Sequence, residues 1–178
     1  MNIKNNKRTI QSKKKVCNTL LEMLSKVGHK DLTVKNLCKE ANINRTTFYI
    51  HYDNIEDVLY QIFEDYVIRV YNIFTNNEIE YKQRVGKALN ILLEQEEFFK
   101  YIVNNVNSLD LRVLEIVEKN IKIPHLNTEV RLSLIYRISG IIGVLKVFFM
   151  SSQKTDNKLS INDIAELIYK LKEPKTIL

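Results

Sequence analysis

The sequence contains few of the residues that interrupt helices, with four glycines and two prolines among 178 residues. Because tight turns between strands depend on these residues, their scarcity favours long helices joined by short turns and argues against a multi-stranded sheet. Two cysteines occur, Cys17 and Cys38, and we interpret them as small buried hydrophobic residues rather than as a redox switch. No basic and apolar leader with a small-residue cleavage site opens the chain, so we expect a cytoplasmic location.

Patterns typical of enzymes and metalloproteins are also missing from the sequence. The three histidines, His29, His51 and His125, are far apart, and neither a His-x-x-x-His nor a Cys-x-x-Cys spacing is present. No glycine-rich loop that could bind phosphate groups occurs either. We therefore expect no metal, no cofactor and no enzyme activity.

Residues 33–59 have the pattern of a helix-turn-helix. Thr33 can cap a first helix, whose inner side has helical spacing: Val34, Leu37, Cys38 and Ala41. Asn42 suits the left-handed conformation that ends this helix, and Asn44 can cap a second, short helix. The second helix would bury three apolar side chains: Phe48, Tyr52 and Ile55.

The side chains on the outer side of the second helix predict contacts with DNA. A short helix that carries guanidinium, hydroxyl and phenol groups near its N-terminal end suits the major groove. Arg45, Thr46 and Lys35 are expected to contact bases or set the register on the duplex. The predicted phosphate contacts are Thr33, Thr47, Tyr49 and His51, and Asn44 completes the predicted site.

Basic charge is concentrated at the same end of the chain. Residues 1–52 contain 11 Lys and Arg against 3 Asp and Glu, and the remaining residues contain 16 against 18. A basic lobe on a nearly neutral body is typical of proteins that bind a polyanion with one end. The run Lys13-Lys14-Lys15 alone could equally be a solvated helix face, but beside a helix-turn-helix it favours phosphate contacts.

These motifs, in this order, resemble the signature of the TetR family of bacterial transcriptional regulators. The matching positions, all within residues 8–60, are Val16, Cys17, Leu20, Leu21, Gly28, Thr33, 41–44 and 47–52. Two positions differ, since Asn42 stands where glycine is common and Ile55 stands where the family usually has a lysine that pairs with a phosphate. The segments 45–52 and 140–146 are most similar to a subgroup from low-GC Gram-positive bacteria.

The resemblance implies a homodimer that binds a palindromic operator in double-stranded DNA and is released by an effector. In the family, helices four to seven enclose the effector pocket. For this pocket the chain offers aromatic candidates: Phe63, Tyr66, Phe98, Phe99, Tyr101 and Tyr136. Each is better explained as part of a hydrophobic core than as a ligand contact, and the effector, whether a small molecule or a protein, is unknown.

The apolar periodicity predicts an all-α fold with about nine helices. Residues 1–8 are polar and basic and are expected to form an arm, followed by a first helix over 9–27 that ends at Gly28. The inner side of this helix is expected to contain Ile10, Val16, Cys17, Leu20, Leu21 and Leu24. After the helix-turn-helix, a fourth helix spans about 53–74. The remaining helices are predicted at 81–94, 95–107, 109–122, 127–151 and 160–172.

We predict a DNA-binding domain over residues 1–53 and an effector-sensing and dimerisation domain over 54–178. A single short recognition helix discriminates too weakly between DNA sites, so a second subunit should supply another one. The last two helices are the natural pairing surface, through Gly140, Ile142, Gly143, Leu145, Ile164 and Ile168. The alternative is that both helices lie within the core of one chain.

Residues 134–150 are apolar enough to raise the question of a membrane span. Arg137 and Lys146 interrupt them, and no uninterrupted run reaches the roughly 20 apolar residues that a span needs. We therefore expect a buried helix and no membrane partner.

These features predict a dimeric, sequence-specific DNA-binding transcriptional regulator, and a repressor in preference to an activator. One alternative is a helical regulator or scaffold controlled by a protein partner, with weak or no small-molecule sensing. A small helical enzyme is a third possibility, but no residue pattern points to a reaction.

Overall fold

A computed structural model of the protein describes residues 3–27, 32–120, 127–151 and 160–170. Within these ranges the chain forms nine helices and no strand, which confirms the predicted all-α fold. The helices are α1 (Ile3–Val27), α2 (Val34–Glu40), α3 (Arg45–Tyr49), α4 (Ile55–Thr75), α5 (Tyr81–Leu93), α6 (Glu96–Asn105), α7 (Leu109–Asn120), α8 (Thr128–Ser151) and α9 (Ile161–Lys170).

Polar side chains near the helix starts set several of these boundaries. The Thr33 hydroxyl oxygen accepts a hydrogen bond from the Asn36 amide at the start of α2, over 3.2 Å. The side-chain oxygen of Asn54 does the same for the Asp57 amide at the start of α4, over 2.9 Å. Between α2 and α3, Asn42 has a φ of 47°, the left-handed conformation that lets the chain turn. The side-chain chemistry of these positions therefore explains the local fold.

Helix α1 begins earlier than the sequence predicts. It starts at Ile3 instead of residue 9, because the basic segment 3–8 contains no proline or glycine that would stop the helix. The sequence also places Ile10 on the buried side, but this side chain is 59% exposed. Ile10 lies two turns before Cys17, which is itself half-buried, so this side is the edge of the packed face. The predicted stop at Gly28 lies outside the described residues.

Packing divides the chain into two compact units, residues 1–65 and 66–178. In the first unit the most deeply buried core side chains, each at most 3% exposed, include Val16, Leu20, Leu37, Phe48, Val58 and Ile62. The division lies inside α4, whereas the sequence-based domain boundary precedes this helix, because the first half of α4 buries its apolar side in the first unit. The assignment of functions to the two domains stays a prediction.

One core cluster of the second unit joins α5 and α9, with α8 packed alongside. Its buried side chains are Val85, Leu89, Ile164, Ala165 and Ile168, flanked by Ile141, Val144, Leu145 and Phe148 of α8. An ion pair adds to the contact between α5 and α9, since Lys82 Nζ lies 2.7 Å from Glu166 Oε2. Elsewhere in the unit, the ring centroid of Tyr66 lies 6.0 Å from that of Phe98 and 5.1 Å from that of Phe99.

Helix α8 is less buried than the sequence predicts. By length and composition its segment Thr128–Phe149 could cross a membrane, yet only 11% of its most apolar 18-residue window is buried inside the protein. One apolar helix is weak evidence for a membrane span. The expectation of a buried helix is wrong for the single chain, because the neighbouring helices cover one side of α8 and leave the opposite side exposed.

Candidate nucleic-acid interface

Helix α3 presents its polar side chains from a fixed position. Phe48 is fully buried, and its ring centroid lies 5.4 Å from that of Tyr49 and 5.7 Å from that of Tyr52. On the outer side of the helix, Arg45 and Thr46 are exposed, and Tyr49 is 55% exposed. A short helix anchored by a buried aromatic ring can place such groups in a major groove.

The other predicted contacts near α3 differ in their exposure and bonding. Lys35 is exposed on α2, and Thr47 is half-buried. Thr33 is exposed, and because its hydroxyl oxygen accepts the capping bond, its hydrogen can still be donated to a phosphate. Asn44 precedes α3 in extended conformation, but its side chain makes no capping hydrogen bond. The predicted side-chain cap is therefore wrong, since an exposed amide can be hydrogen-bonded by water instead.

His51 is tied to α1 by a contact that the sequence did not reveal. The Nε2 atom of the half-buried His51 ring lies 2.8 Å from the Ser12 hydroxyl oxygen. The two residues are 39 positions apart, so no local periodicity links them. This contact holds the His51 ring, which follows α3, against α1. The sequence analysis predicted only a phosphate contact for His51.

The residue after His51 makes a second contact with the same helix. The Tyr52 hydroxyl lies 3.5 Å from the sulfur of Cys17. Burial, as the largest cause, raises the pKa of the Cys17 thiol and of the Tyr52 phenol, and it also raises the pKa of Asp65 on α4. For the fully packed Cys38 of α2, burial raises the thiol pKa as well, opposed by the field of Arg45. Both cysteines are therefore held as thiols at neutral pH.

The lysine run of α1 is divided between two sides of the helix. The Lys13 ammonium lies 5.6 Å from the centroid of the Tyr52 ring, so this side chain packs on the end of the helix-turn-helix. Lys14 and Lys15 are exposed, together with Lys7 and Arg8 one heptad earlier. Spacings of one and seven residues place these four cations on one face of α1. The sequence grouped the three lysines, but helix geometry separates Lys13 from the other two.

Two isoleucines near α3 have opposite environments. Ile50 is 71% exposed, and its amide donates a helical hydrogen bond to the Thr46 carbonyl oxygen over 3.1 Å. It therefore extends the outer side of α3, which its spacing of four residues from Thr46 could have predicted. Ile55, at the position where a lysine is usual in the resembling family, is 8% exposed and belongs to the core. A phosphate contact at this position is replaced here by packing.

The candidate effector residues do not form one group. Phe63 is buried in the first compact unit, and Tyr66 and Phe98 pack with Phe99 in the second unit. Tyr101 is half-buried, whereas Tyr136 is 82% exposed on α8. A shallow depression of about 130 Å³ lies between α4 and α7, lined by Val67, Ile68, Tyr71, Ile116, Val117 and Asn120.

The candidate dimer residues also fall into two groups. Ile164 and Ile168 of α9 are 2% and 5% exposed because they pack inside the chain against α5. Leu145 also packs against this core. The assignment of these three residues to a dimer surface stays a prediction, which their packing within the chain does not favour. Gly140 and Gly143 of α8 are exposed, and a Cβ atom added at either would meet no other atom within 4 Å.

The exposed side of α8 forms a continuous stripe that we call the α8 stripe. Its members are Leu132, Tyr136, Gly140, Gly143 and Val147, spaced by three or four residues. The three large side chains are 61%, 82% and 62% exposed. Ile142, the remaining predicted dimer residue, is half-buried beside the stripe. An apolar stripe of this length on one helix is typical of a surface covered by another protein.

Comparison with known proteins finds likeness in structure alone. No family model matches the chain, and no curated protein matches it significantly. Solved structures with similar folds do exist.

A TetR transcriptional regulator from Streptococcus agalactiae superposes with a TM-score of 0.61 at 18% identity, over 95% of this chain and 97% of the other. The dihydroxyacetone kinase operon activator DhaS superposes with a TM-score of 0.61 at 16% identity, over 91% of this chain and 94% of the other. The fatty acid degradation regulator FadR from Bacillus halodurans superposes with a TM-score of 0.60 at 16% identity, over 89% of this chain and 93% of the other. The chain therefore has the all-α fold of TetR-type transcriptional regulators.

Proposed function

We propose that this protein is a sequence-specific DNA-binding transcriptional regulator that acts as a homodimer in the cytoplasm. The observation that carries the proposal is the outer side of α3, where Arg45, Thr46 and Tyr49 project from a helix anchored by the fully buried Phe48. The end of the chain that contains α3 has a large excess of positive charge, which suits a polyanionic duplex. The fold shared with known regulators supports the same conclusion.

Within this proposal, the contacts have two roles. Arg45, Thr46 and Lys35 contact base edges or set the register, and the hydroxyl groups of Thr33, Thr47 and Tyr49 hold phosphates. Asn44 adds an amide that no capping bond occupies. Guanidinium and amide groups can pair with guanine and adenine edges, whereas hydroxyl donors suit phosphate oxygens.

The proposed dimer surface is the α8 stripe. Two copies of this helix could approach closely at Gly140 and Gly143, because neither glycine has a side chain. Leu132, Tyr136 and Val147 would then be buried between subunits, which explains why so apolar a helix is so little covered by its own chain. Two-fold symmetry would pair two α3 helices on a palindromic operator.

We further propose that the protein represses transcription and that an effector releases it from DNA. One structural neighbour is an operon activator and another is a fatty acid degradation regulator, so the fold alone does not determine the sign of control. A second candidate is a regulator controlled by a protein partner. The shallow, open form of the depression between α4 and α7 supports it, since a protein effector binds a surface rather than an enclosed pocket.

The test of DNA binding is selection from a pool of randomised duplexes, followed by affinity measurements on the enriched sequence and on a scrambled duplex. We expect a palindrome to be enriched and to bind at least 10³-fold more tightly than the scrambled duplex. Arg45→Ala should reduce this preference, because it should weaken binding to the enriched sequence by about 1 to 3 kcal/mol and binding to the scrambled duplex little. Lys87→Ala, which removes an exposed lysine of α5 in the second unit, is the matched control and should bind like the wild type. Enrichment of no sequence would refute the proposed function.

A further inference from the structure

The hydrogen bonds around His51 assign its ring protons. The Ser12 hydroxyl oxygen lies 3.0 Å from the Thr9 carbonyl oxygen, one turn earlier in α1, and 2.8 Å from Nε2 of His51. A hydroxyl group has one hydrogen to donate, and a carbonyl oxygen can only accept. In the arrangement that satisfies both contacts at once, the Ser12 hydroxyl donates to the Thr9 carbonyl oxygen, and the Ser12 oxygen accepts a hydrogen bond from Nε2–H of His51.

This arrangement leaves Nδ1 of His51 without a hydrogen whenever the ring is neutral. A neutral imidazole carries one N–H, and both ring nitrogens carry hydrogens only in the cation. A phosphate diester accepts hydrogen bonds but has none to donate. Neutral His51 therefore cannot donate from Nδ1 to a phosphate, whereas the cation can, and its charge strengthens the bond.

We propose that Ser12 is a positioning residue that makes the His51–phosphate contact depend on protonation of the ring, so that DNA binding takes up a proton at His51. The proposal rests on the proposed DNA-binding function and adds pH control to it. A histidine without this contact could carry its single hydrogen on Nδ1 and donate it to a phosphate even when the ring is neutral. The bond to Ser12 instead favours the tautomer with its hydrogen on Nε2.

The groups around the ring favour its neutral form in the free protein. Helix α1 contributes Ser12 and the ammonium group of Lys13, and the segment after α3 contributes the Tyr52 ring, whose centroid lies 6.4 Å from that of His51. Partial burial, followed by the field of Lys13, lowers the pKa of His51 below its ordinary value of 6.5. Among the described residues, no carboxylate from α4 or another helix contributes to this shift.

The direction of the pH dependence follows from these states. A phosphate beside Nδ1 favours the cation, so the pKa of His51 is higher in the DNA complex than in the free protein. The complex then binds more protons than the free protein. DNA affinity therefore rises as the pH falls through the pKa of the complex, and it levels off below the pKa of the free protein. A charge-assisted hydrogen bond of this kind corresponds to a gain of about tenfold in affinity per subunit.

The test measures the affinity of the full chain for its selected duplex between pH 5.5 and 8, at constant salt, by fluorescence anisotropy. The wild type should bind more tightly at pH 5.5 than at pH 8, by up to about tenfold per subunit. His51→Gln should remove this part of the pH dependence, because the amide does not titrate. Ser12→Ala should also flatten the profile, because the neutral ring can then carry its hydrogen on Nδ1, and its affinity at pH 8 should equal or exceed that of the wild type.

Ser25→Ala is the matched control for the serine substitution. The Ser25 hydroxyl makes the same type of bond on α1, to the Glu22 carbonyl oxygen one turn earlier, over 2.9 Å. This variant should keep the wild-type pH profile. If Ser12→Ala instead weakens binding equally at every pH, Ser12 has a structural role only and the proposal fails.

NMR of the free protein provides a readout that needs no DNA. Long-range ¹H–¹⁵N spectra at pH 8 should show the His51 hydrogen on Nε2 in the wild type and a shift towards Nδ1 in Ser12→Ala. A dominant Nδ1–H tautomer in the wild type, or a wild-type pH profile that coincides with that of His51→Gln, overturns the proposal. Failure of the wild type to bind any duplex at any pH rejects the proposed function itself, and this inference with it.

Discussion

The Cys17 thiol and the Tyr52 hydroxyl lie 3.5 Å apart and join α1 to the segment that follows α3. Next to this pair, Ser12 contacts His51 at 2.8 Å. Two consecutive residues after the candidate recognition helix are therefore held by two residues of α1. The orientation of α3 depends on α1 as well as on the turn that precedes it.

Burial of Cys17 and Tyr52 predicts a loss of stability in alkali. Both groups have a pKa in the folded protein that is raised by burial above the value in the unfolded chain. The unfolded chain therefore releases these protons first, at about pH 8.5 for a thiol and 10 for a phenol. The contribution of these two groups to the free energy of unfolding, measured with urea, should be constant up to about pH 8 and fall at higher pH.

The double variant Cys17→Ala, Tyr52→Phe should reduce this alkaline slope. Tyr60→Phe, which changes an exposed tyrosine of α4, is the control and should keep it. An unchanged slope in the double variant would show that other groups cause the alkaline loss.

Arg45 should discriminate between DNA sequences. Replacement by alanine is expected to cost about 1 to 3 kcal/mol on the selected palindrome and little on random DNA, because a base contact is lost while phosphate contacts remain. Binding isotherms on both duplexes measure the difference. An equal loss of affinity on both duplexes would show that Arg45 contacts phosphates and not bases.

The exposed cations of α1 should add to the salt dependence of binding. If a dimer neutralises on the order of six to ten phosphates, affinity should fall by roughly 10³ to 10⁵ between 50 and 200 mM salt. Lys14→Gln and Lys15→Gln together should make the logarithmic slope shallower without changing the preferred sequence. Lys87→Gln, in the second unit, is the control for removal of charge alone. A wild-type affinity that is independent of salt would contradict the proposed role of the basic unit.

The α8 stripe should control assembly. Val147→Lys places a charge at a side chain that is 62% exposed in the single chain, so its cost to the fold should be small. Burying the same charge unpaired between subunits should cost several kcal/mol, and the variant should sediment as a folded monomer that no longer binds the palindrome.

Leu111→Lys is the matched control, because Leu111 is 50% exposed on α7 outside the stripe, and this variant should remain dimeric. A wild type that sediments as a monomer at micromolar concentration would contradict the proposed dimer directly.

Much of the local structure around the candidate site could be predicted from the residues themselves. Thr33 and Asn54 form capping bonds and Asn42 takes the left-handed conformation, because these preferences depend on a few neighbouring atoms. The buried position of Phe48 follows from helical spacing in the same way. Asn44 is the exception, since an exposed side chain at a helix start can bond to water instead of the helix.

Contacts between distant segments could not be predicted in this way. The Ser12–His51 bond joins residues of different helices, and no periodicity encodes which hydroxyl will meet which ring. Lys13 is separated from Lys14 because Tyr52 packs on one side of α1.

The sequence by itself determined the all-α fold, the helix-turn-helix and the basic character of one end, because these depend on composition and on spacing along the chain. Only the tertiary structure decided which apolar faces are used within the chain. Both α8 and α9 have apolar sides, but α9 buries Ile164 and Ile168 against α5, whereas α8 leaves the stripe from Leu132 to Val147 uncovered. Hydrophobic periodicity identifies a face that avoids water, and only packing determines what covers it.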